Sequence, residues 1–228
     1  VSEPSAGMRP FPRDVRAGCA LIAWADMAAD DEPRFNEWYN REHMRDRVMR
    51  FPGILRGRRY VAEGGGPKYL AIYEATEAAV FADPNYVRLV TDPDPLSRHF
   101  ILRFRNARRT ISQILFAYGE GEGAALALWR LPVEGEPGAL GSDQLEVAAR
   151  QALERPGVVA VRLTRHDAAA TEASARNHVR QGNEIIVRAL MIEATDRNAL
   201  ASAACALDAA LGGAAPRTDF RLLYRISA

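Results

Sequence analysis

Tyr39, Glu42 and His43 fall within five consecutive residues, just after Phe35, Asn36 and Trp38. A phenol, a carboxylate and an imidazole on neighbouring turns are the parts of a proton-transfer site. Such a site needs a group titrating near neutrality, a donor for a developing oxyanion, and shelter from water. His43 suits the first role without perturbation. Tyr39, one turn earlier, can donate from its phenol. Glu42 could orient the imidazole or, once desolvated, serve as a base with a raised pKa. Trp24 and Trp38 would offer flat apolar walls to a ring; the plainer reading is that they fill the core, as large aromatics usually do.

Proline in the first turn and acids at its start (Asp30, Asp31, Glu32, Pro33) predict a helix running to about Arg50, where Phe51-Pro52-Gly53 stops it. At about 100° per residue, Phe35, Trp38, Tyr39, Glu42, Asp46 and Met49 share one face, with His43 at its edge. The acids on that apolar stripe then need partners or a polar cavity. A surface helix whose charge is balanced by Arg41, Arg45 and Arg47 is the competing reading.

The other elements follow in order. Residues 18–27 form an apolar strand, 54–62 alternate as a second, Gly64-Gly65-Gly66-Pro67 turns, and Tyr69 to Ala75 is a third. A helix follows from Thr76 to about Val90, a further helical piece covers 95–107, and Ile111 to Tyr118 closes the unit. Strand, helix, strand, strand, helix, strand is the ferredoxin-like order. The pattern then recurs. Pro52-Gly53 is echoed by Pro156-Gly157 at an offset of 104, Glu74-Ala75-Thr76 by Glu193-Ala194-Thr195 at 119, and Tyr118 by Tyr224 at 106. The expectation is a loose leader over 1–17, a first repeat over 18–119 carrying the site, and a diverged second repeat over 123–228. The second repeat gains an Ala/Thr/Ser/Asn-rich insert between His166 and Asn183, read as a long mobile hairpin loop.

Extra chain in the first repeat carries Arg98, Arg103, Arg105, Arg108 and Arg109, with no acid from Leu96 to Phe116. Guanidinium groups suit a substrate carboxylate, giving a planar two-point donor. Spacing does not choose among them, and Arg103 is taken as the candidate; a solvated face is the alternative.

Composition narrows the class. Thirty basic against 29 acidic residues leave a net charge of +1, so no global field favours nucleic acid or a membrane surface. The glycine run precedes a strand, so it is no phosphate cradle. The four histidines and two cysteines lack metal-ligand spacing. Neither metal nor other cofactor is expected. No apolar run spans a bilayer, and a cytoplasmic location is assumed by default.

Asn36-x-Trp38-Tyr39-x-x-x-His43, then Pro52-Gly53 leading into Arg58-Arg59-Tyr60, then Pro67-Lys68-Tyr69-Leu70-Ala71-Ile72-Tyr73-Glu74, resembles the EthD-like branch of the dimeric α/β-barrel superfamily. The resemblance covers roughly residues 18–118 and is of fold only over 124–228. It implies an α+β fold in which two tandem ferredoxin-like βαββαβ repeats close an intramolecular pseudo-dimeric α/β barrel. It also implies an apolar cleft between sheet and helices for a small cyclic or aromatic acid, lactone or polyketide, and carries the family's helical histidine onto His43. The function expected is a cofactor-independent enzyme of isomerase, cyclase, dehydratase or lyase type, with catalytic His43, Tyr39 and Glu42 and substrate-binding Trp24, Trp38, Asn36 and Arg103. A non-catalytic carrier using the same cleft and a haem-handling barrel are the rivals, and further self-association into a homo-oligomer is allowed.

Overall fold

The structure, a computed structural model, describes residues 17–175, 183–213 and 215–228. Eight strands alternate with helices: β1 (Cys19–Asp26), α1 (Glu32–Trp38), α2 (Met44–Arg50), β2 (Ile54–Ala62), β3 (Tyr69–Ala75), α3 (Pro84–Thr91), α4 (Pro95–Ile101), β4 (Arg105–Tyr118), β5 (Ala125–Leu131), α5 (Ser142–Leu153), β6 (Val158–His166), α6 (Ala168–Ala175), β7 (Arg188–Ala194), α7 (Arg197–Ala210) and β8 (Arg217–Ser227). They close an antiparallel barrel in the order β1-β3-β2-β8-β5-β7-β6-β4. Each half supplies a ferredoxin-like sheet, β4-β1-β3-β2 and β8-β5-β7-β6. The two halves join where β2 meets β8 and β4 meets β6. Closure removes the exposed edges that two open sheets would present.

The duplicated landmarks meet in space. Thr76 N–H donates to Gly53 O, and Thr195 N–H donates to Gly157 O, each at 2.8 Å. Both glycines have positive φ (102° and 81°), a conformation that side-chain-bearing residues resist.

Side chains alternate along each strand. Leu21, Ala23, Ala71 and Tyr73 face the helices, whereas Ile22, Trp24, Leu70 and Ile72 face the barrel axis. The axis also holds charge. Arg58 donates from Nη1 to Glu193 Oε1 and from Nη2 to Glu74 Oε1, each at 2.5 Å. Arg162 pairs with Glu193 and lies 3.3 Å from Glu74, and Arg56 Nε donates to Glu74 at 2.5 Å. Arg58 and Arg162 are separated by the offset 104 and the two glutamates by 119, so the cluster obeys the same internal duplication.

Several local expectations are corrected. The helical piece after Pro95 ends at Ile101, and β4 begins six residues before Ile111, extending past the barrel rim. The second-half insert contains α6, which packs beside β4, in place of an open hairpin loop. Residues 1–16 of the expected leader, and His178, lie outside the described residues.

Candidate active site on the first sheet

The largest correction concerns the first helix. Tyr39–His43 form a π-helical turn between α1 and α2, in which Met44 N–H reaches back five residues to Tyr39 O. One extra residue per turn rotates everything after it. Phe35, Trp38 and Tyr39 are buried as expected, but the buried set then continues with His43, Met44, Arg47 and Val48. Glu42 is exposed, Asp46 forms a surface pair with Arg50 at 3.6 Å, and Met49 is 53 % exposed. The acid-in-the-core conflict therefore disappears, and the imidazole, not the carboxylate, faces the sheet.

What it faces is a cleft between the helices and the outer surface of the first sheet. Four cross-strand neighbours set its floor: Arg59 opposite Ala71, Ala71 opposite Ala23, and Ala23 opposite Arg109. Two methyl groups leave space at the centre of the sheet, and an arginine stands at each end of the row. His43, Arg47, Tyr39, Tyr73 and Tyr86 enclose one end, while Phe104, Ala107 and Asn183 lie at the other. The enclosed volume is about 70 Å³. That is enough for an anionic head group; a larger ring would extend into the mouth.

The cleft is electrostatically one-sided. Arg47, Arg59, Arg108 and Arg109 line it, and among the described residues no carboxylate does. Arg108 pairs with Glu184 at 2.7 Å. Arg47, Arg59 and Arg109 have no ion pair among the described residues. Arg59 donates to Asn36 Oδ1 at 2.6 Å and to Asn40 Oδ1 at 3.0 Å, and its guanidinium lies 4.5–4.9 Å from the ring centres of Tyr39, Phe35 and Tyr69. Neutral amides and π faces hold the cation in place without neutralising it. Arg109 donates to Ser174 Oγ at 2.6 Å. Burial lowers the pKa of both Arg59 and Arg109, opposed by neighbouring tyrosines. An incoming anion would restore what burial has removed.

Tyr39 and Tyr73 lie with their hydroxyls 3.5 Å apart. Burial pushes both phenols up, so each stays protonated and able to donate. The His43 ring is packed 4.4 Å from both the Trp38 and the Tyr39 ring centres, and its carbonyl accepts from Arg47 at 3.1 Å.

Of the residues singled out from sequence, His43 and Tyr39 reach the cleft together. Trp24 contributes an edge at its mouth, but its ring belongs to the barrel interior, against Phe220, with Nε1 donating to Pro67 O. Trp38 stands behind His43, stacked on Phe100 at 4.9 Å, and is not part of the lining. Asn36 acts one step removed, through Arg59. Glu42 lies on the solvent face. Arg103 is also on the surface, 3.7 Å from Asp31, in the turn between α4 and β4. The arginine-rich stretch does reach the cleft, through Arg108 and Arg109. Arg47, Arg59, Tyr73 and Tyr86 were not singled out; period-two alternation in β2 and β3 was the available signal for Arg59 and Tyr73.

The second sheet answers the first position for position. Its matching row is Leu163 opposite Leu190, Leu190 opposite Trp129, and Trp129 opposite Arg217. Leu163, Leu190 and Trp129 are fully buried and occupy the volume that Arg59, Ala71 and Ala23 leave open.

No family model matches the chain, and no curated protein matches it. Solved structures do. An anthrone oxidase-like protein superposes with a TM-score of 0.62 at 12 % identity, covering 93 % of this chain and 94 % of that one. A provisionally named monooxygenase from Fusobacterium nucleatum gives 0.60 at 11 %, covering 92 % and 94 %. A heme-binding protein from Thermus thermophilus gives 0.51 at 10 %, covering 94 % of each chain. Identities this low establish shared architecture, that of the dimeric α/β barrels.

Proposed function

We propose that this chain, a dimeric α/β barrel folded from one polypeptide, is an enzyme of small-molecule metabolism that moves a proton on a planar, hydrophobic acid. The observation that carries this reading is the cleft itself: among the described residues no acid lines it, three arginines without ion pairs surround an apolar floor, and a histidine–tyrosine pair closes one end. Arg59 and Arg109 would hold the substrate's carboxylate or enolate oxygens. His43 would take the proton, and Tyr39, kept neutral by burial, would donate to the oxyanion. Abstraction of a proton next to a carbonyl is the first step of isomerisation, cyclisation and elimination alike. It is equally the first step in oxidising an activated ring carbon, the chemistry suggested by the names of the anthrone oxidase-like and monooxygenase relatives.

Haem, suggested by the heme-binding relative, does not fit. Among the described residues His43 is the one histidine lining the cleft, and it is wedged between two aromatic rings. The enclosed volume is also far below the ~300–1,000 Å³ of sites for larger ligands. The tight packing of His43 does favour one second reading, a non-catalytic binding protein that uses the same arginines. The two readings separate in one experiment. A thermal-shift screen of aromatic acids, unsaturated lactones and phenolic ketones selects a ligand, for which 100-fold saturation adds ~2.7 kcal/mol. Exchange of that ligand's acidic C–H in heavy water is then followed by NMR. Catalysed exchange, slowed ~10²-fold or more in His43→Ala, is expected of the enzyme. Binding with no exchange above the buffer rate means a carrier.

A further inference from the structure

The second sheet is filled at its centre but not at its rim. A cavity of about 390 Å³ lies there, walled by Leu131, Pro132, Leu140, Leu145 and Leu211, with Arg188 on its sheet side. Its place in the fold is not arbitrary. Arg188 pairs with Leu131 as Tyr69 pairs with Ala25, so the cavity corresponds to the mouth of the first cleft. Trp129 and Leu190 have closed the depth of the second cleft and left its entrance.

Arg188 is only 2 % exposed. Its guanidinium donates to Leu140 O at 2.9 Å and to Pro132 O at 3.4 Å, both carbonyls of the loop that covers the cavity, and Nε has no partner. Among the described residues it has no ion pair. Glu134 is the acid nearest in effect, but it is engaged by Ser142 N–H and Oγ at 2.9 and 2.8 Å. Arg130 also walls the cavity but turns its guanidinium toward Trp24, 5.8 Å from the ring centre. Among the described residues no carboxylate lines the space. A buried cation held only by neutral carbonyls is costly to keep, and an anionic ligand would offset that cost.

We infer that this cavity is a second ligand site, specific for an apolar carboxylate the size of a medium-chain or arylalkanoic acid, with Arg188 receiving the carboxylate. Its volume falls in the ~300–1,000 Å³ range of small-molecule sites. The leucines and prolines supply the apolar contact, and the loop from Pro132 to Leu140 closes over the ligand. The site is independent of the cleft on the first sheet and requires no catalysis there.

The test uses 4-phenylbutyrate as the probe and isothermal titration calorimetry on the full chain carrying Ala71→Leu, which closes the first cleft. One binding site is expected to remain. Adding Arg188→Met, or separately Ala215→Trp, which plugs the cavity without touching the arginine, should each weaken it at least about tenfold. The plug variant decides the matter if Arg188→Met fails to fold. No binding by the Ala71→Leu protein, or binding unchanged by Ala215→Trp, overturns the proposal and leaves Arg188 as a staple for its loop. Binding by wild type but not by Ala71→Leu would do the same while leaving the first-sheet reading intact.

Discussion

Arg59 has its charge trapped under three aromatic rings and anchored to two asparagine oxygens, with no ion pair among the described residues. That arrangement fixes the guanidinium before any ligand arrives, so little is lost in ordering it. Replacing it with methionine removes charge-assisted hydrogen bonds worth about 1.5–3 kcal/mol, so affinity for an aromatic acid should fall roughly 10- to 100-fold. Titration calorimetry with the acid chosen by thermal shift checks this. An unchanged dissociation constant in Arg59→Met would mean that the anion sits elsewhere. His43→Ala should instead leave binding largely intact and lower the rate, because the imidazole is assigned the proton and the arginines the charge. Tyr39→Phe removes only a hydroxyl and should likewise act on rate more than on affinity.

At the scale of elements, the π turn decides the site. An uninterrupted α-helix would direct Glu42 and Asp46 at the sheet; the turn sends them to solvent and brings in His43 and Arg47. This explains what the sequence made legible and what it hid. The strand–helix order, the duplication and the burial of Phe35, Trp38 and Tyr39 follow from patterns of period two and 3.6 and from repeated landmarks. A π turn has no comparable signature, because it alters the period for one turn only, so the positions expected for Glu42 and Asp46 are taken by His43 and Arg47. The helical piece expected over 95–107 ends at Ile101, so Arg103 falls in a surface turn, while strand geometry brings Arg109 to the cleft. The Ala23–Ala71 floor was invisible because alanine carries little local signal, and only its pairing in the sheet shows that it opens a hole. Ala71→Leu should therefore fill the first cleft as Leu190 fills the second. The expected result is a melting temperature at or above wild type, with the ligand response reduced to the part that the cavity beside Arg188 supplies, and differential scanning fluorimetry reads both.

For the whole molecule, the barrel axis couples the two repeats through the Arg58, Arg162, Glu74 and Glu193 cluster. Burial opposes ionisation of Glu74, but Arg162, Arg58 and Arg56 outweigh it and hold the carboxyl down at about 2, against an ordinary 4.5. Glu193 is lowered for the same reason, by Arg58 and Arg162. A depressed folded-state pKa stabilises the fold above the unfolded value and loses that contribution as pH falls toward the folded one. Thermal stability should then hold between pH 7 and roughly 5 and decline steeply on approach to 2, as circular dichroism melts would show; a flat profile would contradict the cluster's role. Arg162→Met leaves buried carboxylates undercompensated and should cost about 3–5 kcal/mol, measurable by urea denaturation. Duplication has thus kept the shared axis symmetric while the outer faces diverged, one open and cationic, the other filled.

That divergence is tested most directly by ligand-induced melting shifts for a set of aromatic acids, measured side by side on wild type, Arg59→Met and Ala71→Leu. The structure predicts a clear shift in wild type, a reduced one in Arg59→Met and, in Ala71→Leu, only the part that Ala215→Trp also removes. Equal shifts in all three proteins would contradict a cleft built on the row Arg59–Ala71–Ala23–Arg109.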